Sequence, residues 1–404
     1  MRPGRLSIAA ALAALLAGLG CRENVTSPGS CPDLCPAGRV VLVDTVITGI
    51  VISDSTFRGY YGPAEAQDLP LADLDSLRSV ALVRFGVRDS IWYPATNDTA
   101  VGIGRVDSVQ VRITLANRDT TATHLRILVY HLPAQFDTGM TWAAVQPYLT
   151  DSQLVDTIKV DSSFTGGDVL WTFKPGAMDV IPDSDAGVVA LAFAVTADSR
   201  TGLSITSVEN ALGGPRLGWF VHAKAPRDTL SHGFFVGSSF DTFVFDPPPP
   251  PVTNALAAGG LPSARSILRL QLPAVAIDSV RVIRATLILT PTRPARGLPK
   301  ESFLLSARGI VRDLGPKSVI FTDTAAGGTA AVATGDSSEI HIEIGRLLRA
   351  WGTVAGDSLP RAVMLVAEPE GAGMVEAAVA RGGAGAAAPR LRLTFVRPYP
   401  FGVP

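Results

Sequence analysis

The sequence predicts an all-β protein, with two antiparallel β-sandwich domains following a short leader and a flexible tether. Three observations carry that expectation. Stretches throughout the body alternate apolar and polar residues with period two, as strands do when one face meets a core and the other meets water. Glycine (39) and proline (30) are frequent enough for a fold rich in turns. Long helical periodicity is nearly absent. Its exception is Ile344, Leu347, Leu348 and Trp351, spaced i, i+3, i+4 and i+7, which predicts a helix of about two turns. A chain of 404 residues, 47% of them hydrophobic, is long enough for more than one core.

The first 21 residues read as an export leader. Met1 to Arg5 is a short basic start, Leu6 to Leu19 an apolar run, and Gly18-Leu19-Gly20-Cys21 a small-residue cleavage region. At roughly 14 residues the run falls short of the ~20 needed to span a bilayer. An exported chain works without ATP, reducing power or nucleic acid at hand, and a formal charge of −1 also argues against a nucleic-acid partner. Gly20-Cys21 resembles a bacterial lipoprotein signal, although Gly18 and Leu19 depart from its usual pattern and leave cleavage with release as the alternative. The resemblance implies a lipid on Cys21 and attachment to a membrane through it. With Arg22 following, it implies the outer membrane or cell surface; a periplasmic or secreted protein is the alternative. Cys31 and Cys35 then form an even pair, expected as a disulfide in an oxidising compartment or else as two free thiols. Residues 22–39, with Pro28, Gly29, Pro32 and Pro36, read as the tether.

The body, residues 40–400, repeats one order of elements. Asp44-Thr-Val-Ile47, Ser79–Phe85, Asp107–Leu115, Val188–Val195 and Pro215–Val221 recur as Asp241-Thr-Phe-Val244, Ser266–Leu272, Ser279–Leu289, Ala362–Ala367 and Pro389–Val396. The four matches after the opening pair, all in one order, indicate an internal duplication. The division is expected near Pro226, giving domains 40–226 and 227–400, with residue 251 at the end of the proline run Pro247–Pro251 as the alternative. Asp241–Phe245 is then the first strand of the second domain.

This order resembles the DNRLRE-type domains of exported bacterial proteins. It does so at Asp241-Thr-Phe-Val244, Leu268-Arg-Leu270, Ala285-Thr-Leu-Ile-Leu289, Leu347-Leu-Arg-Ala-Trp351 and Pro389-Arg-Leu391 in the second half. In the first half it does so at Leu82-Val-Arg-Phe85, Thr141-Trp142 and Pro215-Arg-Leu217. The resemblance implies jelly-roll-like sandwiches, one per half. The first half lacks the helix ending in Trp, and the second lacks a Thr-Trp.

Catalytic chemistry finds little support. His124, His131, His222, His232 and His341 form no HxxxH or HxH pair. No Gly-x-Ser-x-Gly elbow and no Ser-x-x-Lys is present. Asp179, Asp183 and Asp185 share a loop with Gly187 and are weak calcium candidates; Asp73 and Asp75 share another. The clearest binding candidates are the loop aromatics Tyr60, Tyr61, Trp92 and Tyr93, which suit stacking on sugar rings or simple packing over the end of a core. Trp142, Trp171, Trp219 and Trp351 fall within strand or helix patterns and are expected in the core. The expectation is therefore a non-catalytic envelope protein without cofactor, serving structure or binding, with a polysaccharide or another envelope protein as partner. The alternatives are a carbohydrate-binding module using the loop aromatics, and a polysaccharide-active lyase or glycosidase whose site has no sequence signature.

Overall fold

The computed structural model describes residues 42–396, apart from 75–76, 94–98, 135, 175–186, 225–229, 247–253, 278–281, 316–320, 354–358 and 372. The leader, the tether, Cys21, Cys31, Cys35, Asp179, Asp183 and Asp185 lie outside the described residues. The fold is all-β and antiparallel throughout. Strands β1 (Leu42–Ile47) and β2 (Val51–Arg58) come first. They are followed by β3 (Asp68–Leu74), β4 (Leu77–Gly86), β5 (Ser90–Tyr93), β6 (Thr99–Arg118), β7 (Arg126–Leu132), β8 (Leu154–Lys159), β9 (Gly167–Thr172), β10 (Val188–Thr196), β11 (Thr201–Thr206), β12 (Arg216–Ala223) and β13 (His232–Asp246). The second half supplies β14 (Leu256–Gly259), β15 (Ala264–Leu270), β16 (Val282–Leu289), β17 (Ser302–Arg312), β18 (Phe321–Ala333), β19 (Ile340–Glu343), β20 (Ala362–Glu368), β21 (Glu376–Val379) and β22 (Arg390–Val396). The expected helix forms at Gly345–Trp351, and Leu347, Leu348 and Trp351 are all buried.

One body is a single sheet in the order β13-β12-β6-β11-β3-β4-β10-β7-β8, with β9 beside β6. Strand β13 pairs with β12 at one end and with β4 at the other, so the sheet curls back on itself around one core. Inward-pointing Val109, Val111, Ile113, Leu217 and Trp219 are buried there with Phe85 and Phe193. The other body has two sheets, β1-β22-β16-β19 and β18-β17-β20-β15-β14-β21, with β2 added to β15. Its core is Leu268, Leu287, Ile342, Trp351, Val363, Leu391 and their neighbours.

Seven pairings recur in both bodies, whereas β6–β11, which joins the first body into one sheet, has no counterpart among the described strands of the second. The pairs β3–β4, β3–β11, β4–β10, β10–β7, β7–β8, β6–β9 and β6–β12 correspond to β14–β15, β14–β21, β15–β20, β20–β17, β17–β18, β16–β19 and β16–β22. The opening strands occupy equivalent places, β1 and β2 in one body and the two parts of β13 in the other, and each set belongs to the other half; the matched segments themselves differ in place, since Asp44–Ile47 lies against β22 and Asp241–Val244 against β4. Asp44–Ile47 lies in β1, against β22, and β2 continues onto β15. Asp241–Val244 lies in β13, which lies against β12 and continues onto β4.

Pairing therefore does not follow the division expected at 226. Residues 232–246 complete the first body, and 42–58 complete the second, which receives the first as an insertion between β2 and β14. Loop closure supplies the physical reason. β13 reaches β12 through a short connection, whereas reaching β22 would close a loop of more than a hundred residues at greater entropic cost. The slot left in the second body is filled by the N-terminal strands.

The two bodies meet through side chains of one that enter the core of the other. Leu261, Leu298 and Met374, from loops of the second body, pack into the core of the first. Glu301 is buried at this joint. It accepts hydrogen bonds from the Leu298 and Met374 N–H groups, both at 2.9 Å, and from the Asn117 side chain on β6.

Candidate functional site

The inserted body leaves one sheet face bare. Across β9, β6, β12 and β13 the cross-strand rows are Leu170, Arg112, Arg216, Gly237 and then Thr172, Gln110, Gly218, Phe235; Phe220 stands opposite Gly233. The opposite face of these strands is the core, so this one points to solvent. Phe235 is 44% exposed and Leu170 is 57% exposed, values that place both on an open surface.

Two glycines make room for the aromatic rings. A Cβ on Gly218 would stand 2.5 Å from the Phe235 ring, and one on Gly233 would stand 2.9 Å from the Phe220 ring. Each phenyl therefore settles over a bare backbone position of the neighbouring strand, the device by which aromatics cover glycines in sheets. The rings meet edge to face, with centroids 6.4 Å apart.

Charge on this face is unbalanced. Arg112 and Arg216 are direct cross-strand neighbours, an arrangement that costs stability for like charges. Asp168 serves Arg112, which donates to it from Nε at 3.1 Å, and it also accepts from the Thr114 hydroxyl at 2.6 Å. These bonds hold the Asp168 carboxyl below its usual range. Arg216 makes no side-chain hydrogen bond or ion pair among the described residues and feels Asp168 only through space. Beside Phe235, Gln110 donates to the Thr172 hydroxyl at 3.0 Å, adding amide and hydroxyl groups to the row.

The equivalent face of the second body is a useful contrast. There Arg392 pairs with Asp44 at 2.6 Å, Arg284 with Glu343 at 2.7 Å, and Arg390 with Glu339. Among the described residues each guanidinium on that face has a carboxylate and no phenyl, phenol or indole ring is present; Leu42 and Val46 stand exposed beside Asp44. Architecture is common to both faces, so the unpaired Arg216 and the phenyl pair are particular to the first.

The residues singled out from sequence are dispersed. Tyr60 and Tyr61 follow β2, beside the second body. The Arg265 guanidinium lies 4.2 Å from the Tyr60 ring centre and 5.8 Å from that of Tyr61, and Phe57 meets Tyr60 edge to face. Arg265 is itself held by Glu370 at 2.6 Å. Trp92 and Tyr93 end β5, whose backbone pairs with the start of β6; their side chains lie outside the described part of the structure. The two aromatic pairs thus sit on different sheets. Asp73 pairs with Arg200, and Asp75 lies outside the described residues. Among the histidines, His124 bonds Asp198, His222 lies 2.9 Å from Asp107, and His341 lies 3.7 Å from Glu339. No cluster of three or more metal-ligating side chains occurs among the described residues. Trp219 and Trp351 are fully buried, and Trp142 and Trp171 partly so.

Five acidic residues are buried among the described residues: Asp68, Asp119, Asp156, Asp241 and Glu301. Burial pushes Asp68 and Asp241 up to about 6 and raises Glu301. Asp68 and Asp241 both hold the segment between β11 and β12: Asn210 Nδ2 donates to Asp68 at 3.0 Å, and the Val208 N–H to Asp241 at 2.9 Å. An open cleft of about 530 Å³ is lined by Val51, Asp54, Asn254, Arg381 and Gly382. Its carboxylate, Asp54, is already occupied by Arg381 and the Gly382 N–H.

Phe220, Phe235, Arg112 and Arg216 were not singled out by sequence reasoning, which recognised Pro215–Val221 as a strand only. The available signal was the spacing of Arg216-x-Gly218-x-Phe220 and Gly233-x-Phe235-x-Gly237 on single strand faces. Comparison with protein-family models and with curated proteins finds no match to this chain.

Proposed function

We propose that this chain is an exported, lipid-anchored envelope protein with a non-catalytic binding role, related to the DNRLRE-type exported domains used in duplicate. In this reading Cys21 carries the lipid, residues 22–39 form the tether, and the bare face of the inserted body is the binding surface. The observation that carries it is the contrast between two equivalent faces, one with its guanidinium groups in ion pairs and the other keeping an unpaired guanidinium beside the exposed Phe235 ring and the half-buried Phe220 ring. The joint at Leu298, Met374 and Glu301 supports the same reading, because it makes the tethered body a firm support for the inserted one.

Two measurements test it. The intact mass of the mature N-terminus should show an acylated Cys21; an unmodified N-terminal residue rejects the anchor. The purified full chain should co-sediment with isolated envelope material from its source cells, and Phe235→Asp should reduce that binding. Equal sedimentation of variant and wild type rejects the binding face.

A further inference from the structure

We propose that the ligand of this face is an acidic polysaccharide, with a sugar ring seated on Phe235 and an anionic group of the glycan on Arg216. The inference rests on the binding role proposed above and adds the chemical class of the ligand.

Its geometry starts from register. Arg216 stands directly opposite Gly237, which has no side chain to fill the space above it. Phe235 is two residues away on the same face of β13, about 7 Å along the strand. A ring seated on Phe235 therefore has a guanidinium to one side. Sugars present C–H groups on the face of the ring and hydroxyls around its rim. The first suits the Phe235 phenyl, and the second suits Gln110 and Thr172 in the same cross-strand row.

Charge selects among sugars. Two guanidinium groups share one carboxylate, so the face carries about one net positive charge. A carboxylate or sulfate on the glycan would remove the repulsion between Arg112 and Arg216 and complete the pairing already complete on the second body's face. One excess charge is too few for the dense phosphate backbone of a nucleic acid, which is held by many cations at once. An acidic peptide is a weaker match. Peptides are usually held by a free strand edge or a groove, and this surface is the flat face of paired strands.

The test uses the purified full chain and defined polymers. Polygalacturonate and dextran sulfate serve as acidic probes, fully methyl-esterified polygalacturonate as the neutral control, and polyglutamate as the peptide control. The variants are Arg216→Gln and Phe235→Ala, with Arg392→Gln on the corresponding face of the second body for comparison. Arg216 and Phe235 are exposed, and circular dichroism and melting curves confirm that each variant is folded before binding is read.

The expected result is binding to at least one acidic polysaccharide that weakens with added salt. Arg216→Gln and Phe235→Ala should each weaken it about tenfold or more, as expected for losing a charge-assisted contact or a ring platform. Arg392→Gln should leave it unchanged. The proposal is overturned if neither acidic polysaccharide binds, if the methyl ester or polyglutamate binds as tightly, or if Arg216→Gln binds like wild type. If any of these results accompanies envelope binding that still depends on Phe235, the ligand class fails and the binding role stands. If envelope binding is also indifferent to Phe235→Asp, both fail.

Discussion

Replacing Asp241 by Asn should stabilise the protein at neutral pH and have little effect in mild acid. Asp241 is buried, and its Oδ2 accepts hydrogen bonds from the Val208 N–H at 2.9 Å and the Ser238 hydroxyl at 3.3 Å. Its Oδ1 is buried without a partner, and the Glu209 carboxylate adds repulsion. Burial raises the group from 3.8 to about 6. A rise of about two pH units is worth roughly 3 kcal/mol at about 1.4 kcal/mol each. Because the raised value belongs to the folded state, this stability is fully present below about pH 4 and is lost as pH rises through about 6. Carboxyls lowered by arginine, such as Asp313 with Arg269, act in the opposite sense and lose their contribution only below the ordinary carboxylate range. The two windows are therefore separate. Asn keeps an oxygen for Val208 and turns an N–H toward Glu209. Urea unfolding of wild type and Asp241→Asn at intervals from pH 4 to pH 8 tests this. The gap should be near zero at pH 4 and grow to as much as about 3 kcal/mol above pH 7. A gap constant with pH, or a variant less stable than wild type at pH 8, would refute the reasoning.

Three further outcomes follow from other parts of the fold. Glu376 bridges Arg58 and Arg293, at 2.6 Å each, so Glu376→Gln should leave two partly buried guanidinium groups uncompensated and cost about 3 kcal/mol in a denaturant titration; an unchanged midpoint argues against the bridge. Leu298→Ala opens a cavity where the second body enters the core of the first. It should cost about 2–5 kcal/mol and speed amide exchange in β3 and β11; faster exchange confined to the second body would count against the joint. The exchange of opening strands can be tested directly, since the exposed Asp44 and the half-buried Thr394 are register partners. Asp44→Cys with Thr394→Cys should cross-link under mild oxidation, and no cross-link would mean that β1 lies elsewhere.

The legible part of this fold is the part written in local pattern. Val109, Val111 and Ile113, or Leu391, Leu393 and Phe395, alternate with polar neighbours, and the structure buries all of them. Ile344, Leu347, Leu348 and Trp351 mark the helix in the same direct way. The partners of the opening segments were not legible. Asp44-Thr-Val-Ile47 and Asp241-Thr-Phe-Val244 are alike in sequence, yet the first lies against β22 and the second against β4, so residue pattern does not name their partners and connection length decides them. The candidate site was hidden for a related reason. In Gly233-Phe-Phe-Val-Gly237 two phenylalanines are adjacent, and alternation alone does not say which one leaves the core. Only the register against Gly218 puts Phe235 outside with Phe220 beside it. Tyr60 and Tyr61 drew notice as loop aromatics, but Arg265 lies over them, a contact made across 204 or more positions of chain that no local pattern encodes.

Duplication is what separates architecture from purpose here. A sandwich of this design needs a strand between β12 and β4, or between β22 and β15, and it needs apolar residues on the inward faces; both bodies meet those needs with seven corresponding pairings. It does not need two arginines side by side sharing one aspartate, and the second body, facing the same packing problem, gives each arginine its own carboxylate. Nor does it need glycines at both Gly218 and Gly233, since strand interiors lose stability by carrying them. On the first body's face these features coincide within two strand rows. Each one costs stability, and the neighbouring copy shows that the fold is complete without them; the ligand proposed above would offset that cost by supplying a negative charge and a surface for the rings.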